Sequence, residues 1–317
     1  MSHKILVSDP ISEDGLQIIL NHKDFEVDIQ TDLTEKELLN IIDNYDGLIV
    51  RSQTQVTERI INQATQLKII ARAGVGIDNI DINAATLKVI LVINAPDGNT
   101  ISATEHSVAM LLAMTRNIPQ AHQSLRHKEW NRKAFRGIEL YSKTLAVIGA
   151  GRIGLGVAKR AQSFGMKILA KVRFCYCTHT SYTKNTWHCW GSFFKKAKSS
   201  LQIINVARGG IIDESTLVNA LDDGLIDRAA LDVFRHEPPI DSPLIAHEKI
   251  VVTPHLGAST VEAQEKVAVS VSEEIVEILT NGTVKHAVNA PKMDLDNVDE
   301  NIKNFVDLST TIGEFSI

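Results

Sequence analysis

The feature that most limits what this chain can fold into is an alternation, repeated from the first residues, of short apolar runs with amphipathic stretches at helical spacing. Lys4 to Ser8, Phe25 to Ile29, Gly47 to Val50, Lys68 to Ala71 and Ile90 to Asn94 read as strands. Ser12 to Leu20, Glu35 to Ile42, Glu58 to Ala64 and Asp81 to Leu87 read as the helices between them. Strands joined through helices are parallel, because a tight hairpin cannot join parallel neighbours. The first 95 or so residues therefore predict a five-stranded α/β unit. A second series opens at Thr144 to Ile148 and continues through Ile203 to Asn205, Arg228 to Asp232 and Ile250 to Thr253. Two long helices, Thr100 to Arg116 and Thr260 to Leu279, flank that series.

A chain of 317 residues is too long for one ordinary core, so two domains are expected, one inserted in the other. Residues 1–98 with 282–317 are read as the discontinuous domain and residues 99–281 as the inserted one. With 44% apolar and 22% charged residues the chain can bury a normal core. Its net charge of −5 argues against nucleic-acid binding through a broad basic face. No apolar run reaches the length of a membrane span and the start has no signal-peptide shape, so a cytoplasmic protein is expected.

The clearest motif is Gly149-Ala150-Gly151-Arg152-Ile153-Gly154, placed directly after the strand Thr144 to Ile148 and opening an amphipathic helix. In that context the first glycine permits a tight turn, the second lets the backbone approach a pyrophosphate, and the third lets helix and strand pack closely. Unpaired amides at the helix start then face the phosphates. An acidic residue for the ribose hydroxyls belongs about 20 residues on. It is absent: Lys167-Ile168-Leu169-Ala170-Lys171-Val172-Arg173 stands there, and Lys171 or Arg173 could instead hold a 2′-phosphate and favour NADP.

Arg208, Glu237 and His255 each follow a strand candidate, where open α/β sheets bind their ligands. A histidine oriented by a carboxylate exchanges protons near neutral pH, and an arginine grips an α-carboxylate with two N–H bonds. Three such groups beyond neighbouring strand ends suggest a redox centre acting on a hydroxy acid.

Asn205-Val206-Ala207-Arg208-Gly209-Gly210, Ala230-Leu231-Asp232-Val233-Phe234, Glu237-Pro238-Pro239 and Thr253-Pro254-His255-Leu256-Gly257-Ala258-Ser259-Thr260 resemble the D-isomer-specific 2-hydroxyacid dehydrogenases. Val7-Ser8-Asp9-Pro10, Arg51-Ser52, Arg72-Ala73-Gly74-Val75-Gly76-Ile77-Asp78-Asn79 and Asn94-Ala95-Pro96-Asp97-Gly98-Asn99-Thr100 resemble the branch that oxidises D-3-phosphoglycerate to 3-phosphohydroxypyruvate at the head of serine synthesis. The resemblance implies two Rossmann-like, doubly wound parallel-sheet domains, with the NAD domain inserted in the substrate domain. It implies Arg208 on the substrate carboxylate, Glu237 supporting His255, and His255 moving the proton. NAD contacts are implied for Gly149, Gly151, Arg152, Ile153, Gly154, Val75, Val206, Ala207, Asp232, Gly257 and Ala258, and substrate contacts for Arg51, Arg72, Gly74 and Arg132. Lys133 beside Arg132 adds charge, either near the site from a partner subunit or as a solvated basic face.

The alternatives on the same resemblance are a glyoxylate or hydroxypyruvate reductase and a catalytically defective relative. A homodimer or higher homo-oligomer is expected, with Thr100 to Arg116 forming much of a two-fold interface, because a helix this long and apolar must be covered. Longer relatives continue into regulatory domains, so serine feedback through such a domain is not expected of this chain.

One stretch departs from the family. Between Glu139 and Asp213 there is no Asp or Glu, and Cys175, Cys177 and Cys189 cluster there with Trp187 and Trp190. About one βαβ-like segment is missing near Ala170 to Phe174. Codons for Cys175 to Tyr182 exist that, read one base later, give Val-Thr-Val-His-Thr-Pro-Leu, the family's strand at this point. A frame slip thus explains the cysteines without chemistry. A zinc site using His179, His188 and the cysteines fits poorly, because the C-x-C spacing and the distant third cysteine match no ordinary pattern. No metal is expected.

Overall fold

In a computed structural model of the chain, residues 2–171 and 188–290 are described. They divide into two compact units, one running to Pro96 and resuming at Val267, the other from Asp97 to Lys266.

The first unit alternates β1 (His3–Val7), α1 (Glu13–Leu20), β2 (Phe25–Ile29), α2 (Glu35–Ile41), β3 (Gly47–Val50), α3 (Glu58–Gln63), β4 (Ile69–Arg72), α4 (Ile82–Leu87) and β5 (Leu91–Asn94). Its five strands are all parallel, in the order β2-β1-β3-β4-β5. All four residues of β3 are buried, as a central parallel strand covered on both faces requires. Successive residues feed opposite cores. Leu6, Leu48, Val50 and Ile70 meet Leu38, Ile60 and Ile61 on one face, while Ile5, Val7, Ile49 and Ile69 meet Ile19, Val267, Val271 and Ile275 on the other. Local chemistry sets the helix starts. Thr34 and Glu37 form a reciprocal capping box on α2, and the Asp81 carboxylate accepts from the Ala84 amide on α4.

Asp46 ties the N-terminal ends of β1, β3 and β4 together. Its carboxylate accepts from the Lys4 amide at 2.9 Å and lies 3.0 Å from the Lys68 ammonium. Burial pushes this carboxyl up, but the Lys4 and Lys68 contacts outweigh burial and hold it below the ordinary Asp value. A depressed folded pKa gives stability that is present above the unfolded value near 3.9 and is lost as pH falls through the folded one. Asp46→Asn is accordingly expected to cost about 1 kcal/mol at about pH 7, and this difference should shrink as pH falls below about 3.9 in paired urea titrations.

The second unit contains α5 (Thr100–Thr115), α6 (Ile118–Arg126), β6 (Thr144–Ile148), α7 (Arg152–Ser163), β7 (Lys167–Lys171), α8 (His188–Lys196), β8 (Gln202–Asn205), α9 (Glu214–Asp222), β9 (Arg228–Leu231), α10 (Pro243–Ala246) and β10 (Ile250–Val252). α11 (Val261–Asn281) begins here and ends in the first unit. The second crossing thus falls at 266/267 rather than at the 281/282 expected from sequence, because Val267, Val271 and Ile275 of α11 are buried in the first unit's core.

The sheet of the second unit is split. β6 pairs with β7, and β10-β9-β8 forms a separate three-stranded sheet, all parallel. Among the described residues β6 bonds only to β7, and β8 only to β9. Helix α5 serves both pieces: Met110, Leu111 and Met114 lie in one cluster with Leu145 and Ile168 from the first piece and Ala230 and Val251 from the second. Ala103, Val108, Met110, Leu111 and Met114 of α5 are buried within the unit, while Ile101 is 64% exposed. On the opposite side of β6-β7, Ile148 is 59% and Leu169 63% exposed among the described residues. No helix among the described residues is long and apolar enough to cross a membrane. The anomalous residues Cys175, Cys177, Arg173 and His179 lie outside the described ones, as do the side chains of Lys171, His188 and Cys189.

Candidate active site

In the second unit, each candidate residue sits beyond the carboxyl end of a strand. After β6, Gly149 takes φ +100°, a conformation that favours glycine, and Gly151 caps α7. A side chain at Gly154 would begin 2.0 Å from the Gly149 carbonyl oxygen, so close helix–strand packing excludes one. Side chains at Gly149 or Gly151 would meet nothing within 4 Å, so the turn is open where a pyrophosphate would approach the first amides of α7. Arg152 pairs with Asp97 beside this turn, and Ile153 follows it on the first turn of α7. The pyrophosphate half of a dinucleotide fits these residues; the ribose half lacks its acid. In the parallel register Ile148 faces Lys171, and from Lys167 to Arg173 the chain has no carboxylate.

After β8, the Asn205 amide donates to the Arg208 carbonyl at 2.8 Å and its oxygen accepts from the Ala207 amide at 3.1 Å. This folds Val206, Ala207 and Arg208 into a turn that presents the half-buried Arg208, whose guanidinium donates to the Ala207 carbonyl at 2.8 Å. Gly209 follows in the path of the next loop: a side chain there would overlap the Phe234 carbonyl. After β9, Glu237 accepts from the Phe234 amide at 3.0 Å with one oxygen and lies 2.6 Å from His255 Nδ1 with the other. Both side chains are partly exposed. That hydrogen bond makes Nδ1 the donor to Glu237 and leaves Nε2 as the nitrogen for proton exchange.

His255 adopts φ +55°, a left-handed conformation that costs a non-glycine residue roughly 1–2 kcal/mol. What holds it there is Asp232, which is fully buried. The Asp232 carbonyl accepts from the His255 amide at 2.9 Å, and its carboxylate accepts from the amides of Leu256 and Gly257 and from the Thr253 hydroxyl. Sequence reading assigned Asp232 to the cofactor; in the structure its carboxylate oxygens hold the turn that carries His255, Gly257 and Ala258.

The first unit has a parallel device. Asp9, buried after β1, accepts from the amides of Arg51, Gln53 and Thr54, while the Asn79 side chain donates to the carbonyls of Arg51 and Thr54. Arg51 is thereby fixed beyond β3. At the end of β4, the Arg72 guanidinium lies in the space a side chain at Gly74 would fill, and the Asn94 amide donates to the Val75 carbonyl at 2.7 Å. Arg132 and Lys133 lie exposed in a turn of the second unit after α6. Sequence reading missed the supporting roles of Asp9, Asn79, Ser102 and His106. Ser102 and His106 stand four apart on α5, a spacing that marks one helix face.

The model of the D-isomer specific 2-hydroxyacid dehydrogenase catalytic domain matches residues 5–289, and the chain belongs to that family. It is 43% identical to the D-3-phosphoglycerate dehydrogenase of Bacillus subtilis, over 98% of this chain and 63% of that protein. It is likewise 43% identical to that of Methanocaldococcus jannaschii, over 98% of this chain and 64% of that protein. The chain thus spans less than two thirds of the curated relatives it matches. Among solved structures it is similar to D-lactate dehydrogenase from Aquifex aeolicus complexed with NAD and lactic acid, with a TM-score of 0.76 and 25% identity over 91% of this chain and 100% of that one. The alignment with the Bacillus protein runs over 335 positions, more than the 317 residues present here, so that relative has residues with no counterpart in this chain.

Proposed function

We propose that the chain carries the residues for NAD-dependent oxidation of D-3-phosphoglycerate to 3-phosphohydroxypyruvate, in a second unit weakened by an internal loss. The observation that carries this reading is the 2.6 Å contact between Glu237 and His255 Nδ1, close in the fold to the loop presenting Arg208. His255 Nε2 takes the proton of the substrate's 2-hydroxyl as the 2-carbon becomes a carbonyl, and Glu237 stabilises the imidazolium that results. Arg208 grips the carboxylate and polarises the developing carbonyl. Arg51, Arg72 and Arg132 are assigned by the same resemblance to the phosphate and carboxylate, and Gly74, having no side chain, makes room for the Arg72 guanidinium. NAD, when bound, supplies the acceptor for the hydride from the 2-carbon. The amides of Gly151, Arg152, Ile153 and Gly154 hold its pyrophosphate, while Val206, Ala207, Gly257 and Ala258 line its nicotinamide half. Asp232 acts there by fixing the Gly257 backbone.

The test pairs calorimetric titration with NAD and NADP against turnover of D-3-phosphoglycerate and of unphosphorylated D-glycerate. NAD binding with loss of turnover on removing the phosphate supports the reading. Equal turnover without phosphate favours a glyoxylate or hydroxypyruvate reductase, and NADP preference moves the cofactor assignment to Lys171 and Arg173.

A homo-oligomer is part of the same proposal, with α6 beside the α5 face expected from sequence as a further candidate surface. Ile118 and Leu125 on α6 and Trp130 after it are 53%, 56% and 78% exposed. Apolar residues gathered this densely mark an interface more often than a solvated face. Sedimentation is expected to show a dimer that Leu125→Glu dissociates; a parent chain sedimenting as a monomer would contradict this.

A further inference from the structure

The turn carrying His255 is gripped from one side by a single helix face. On α5, the buried Ser102 donates its hydroxyl to the Gly257 carbonyl at 2.8 Å. One helical turn later, His106 Nε2 lies 3.1 Å from both Asp232 Oδ1 and Thr253 Oγ1. The Thr253 hydroxyl donates to the same Asp232 oxygen at 2.6 Å, so the ring nitrogen donates into a closed triangle with the hydroxyl and the carboxylate. Asp232 is 0% exposed, so its carboxylate is oriented by protein donors, one of them the half-buried Thr253 just after β10. A buried carboxylate has to be oriented by its donors, and its orientation decides where the amides it accepts from must lie.

We propose that His106 is a positioning residue for the acid–base pair: through Asp232 and Thr253 it fixes the left-handed turn that carries His255. It touches neither the reacting atoms nor Glu237. It acts by keeping the Asp232 oxygens aimed at the amides of Leu256 and Gly257, 2.7 and 2.8 Å away. Those two bonds offset the cost of the His255 backbone conformation, and Ser102 pins the carbonyl of the same turn. Loss of the ring leaves the buried Asp232 carboxylate with one donor fewer, and the turn opens more often. The catalytic meaning of this device rests on the dehydrogenase reading; the device itself does not.

The test is amide hydrogen exchange on the full chain, read residue by residue, without added dinucleotide. His106→Ala should speed exchange at Leu256 and Gly257 by about tenfold or more, with the amides of β4 in the first unit unchanged. His106→Gln, whose side-chain N–H can occupy the place of Nε2, should restore most of the protection, which a role in mere space-filling would not predict. Exchange at Leu256 and Gly257 unchanged in His106→Ala overturns the inference, as does a Gln variant as fast as the Ala one. Should His106→Ala fail to fold, Thr253→Val removes the hydroxyl from the triangle at nearly constant shape. It should produce the same acceleration, and unchanged protection there overturns the inference equally. Absence of NAD binding would sink the functional reading while leaving this result standing, so the two failures are distinguishable.

Discussion

Turnover of D-3-phosphoglycerate by the chain as it stands is expected to be at least about a hundredfold below that of a version carrying the internal residues that its Bacillus relative has and it lacks. Two losses combine. The missing ribose carboxylate removes a charge-assisted hydrogen-bond pair, about 1.5–3 kcal/mol or roughly ten- to a hundredfold in dinucleotide affinity. The split sheet removes more. β6 carries the Gly149–Gly154 turn, and β8, β9 and β10 carry Arg208, Glu237 and His255, yet among the described residues no strand pairing joins β6 to β8. The relative placement of the two groups then depends on side-chain packing, chiefly through α5, and catalysis tolerates little misplacement. Covering Ile148 and Leu169, which are about three-fifths exposed, would return about 1–2 kcal/mol each. For a unit of this size that corresponds to a rise of roughly 10 °C in unfolding midpoint for the restored version, before any new strand pairing is counted. Calorimetry and initial rates on both versions decide the matter. A single cooperative transition in the present chain, raised by NAD and accompanied by ordinary turnover, would show that the loss is structurally harmless.

Much of this was legible in the residues because it is local. The fully apolar β3 announces a parallel strand, and the expected helices Thr100 to Arg116 and Thr260 to Leu279 correspond to α5 and α11 within two residues. The glycine motif was readable for the same reason, since strand, turn and helix follow one another in the chain. α6, α8, α9 and α10 were not read, although the Asp213 side chain, which accepts from the Thr216 amide at the start of α9, was a usable signal. The supporting carboxylates were illegible for a different reason. Asp9 and Asp232 were seen as members of motifs, but their function lies in amides of loops distant in sequence, and nothing local distinguishes a clamp from a ligand. His106 was hidden twice, inside a helix whose pattern read as packing and by a partner that only the fold brings near. The split sheet was foreshadowed by the βαβ-like segment missing near Ala170 to Phe174 and the gap in acidic residues, but which strands lose their pairing is non-local and came only from the fold.

In the restored version, His255→Ala is expected to lower kcat by about two to four powers of ten with a smaller change in KM for the substrate, because the lost proton transfer belongs to the transition state. Glu237→Gln keeps a group that can accept from Nδ1 but removes the charge opposite the imidazolium, so its loss should be smaller than that of His255→Ala and of the same kind. The double variant should be hardly worse than His255→Ala, since Glu237 acts through the ring that the first change has already removed. Arg208→Lys tests the remaining member of the group. A lysine keeps the charge but gives up the two-pronged grip, so the effect should appear in KM as well as kcat. Single-turnover and steady-state rates across these four proteins separate the roles. Undiminished turnover in His255→Ala, or losses for His255 and Glu237 that multiply as independent effects, would rule out an acid–base pair at this place.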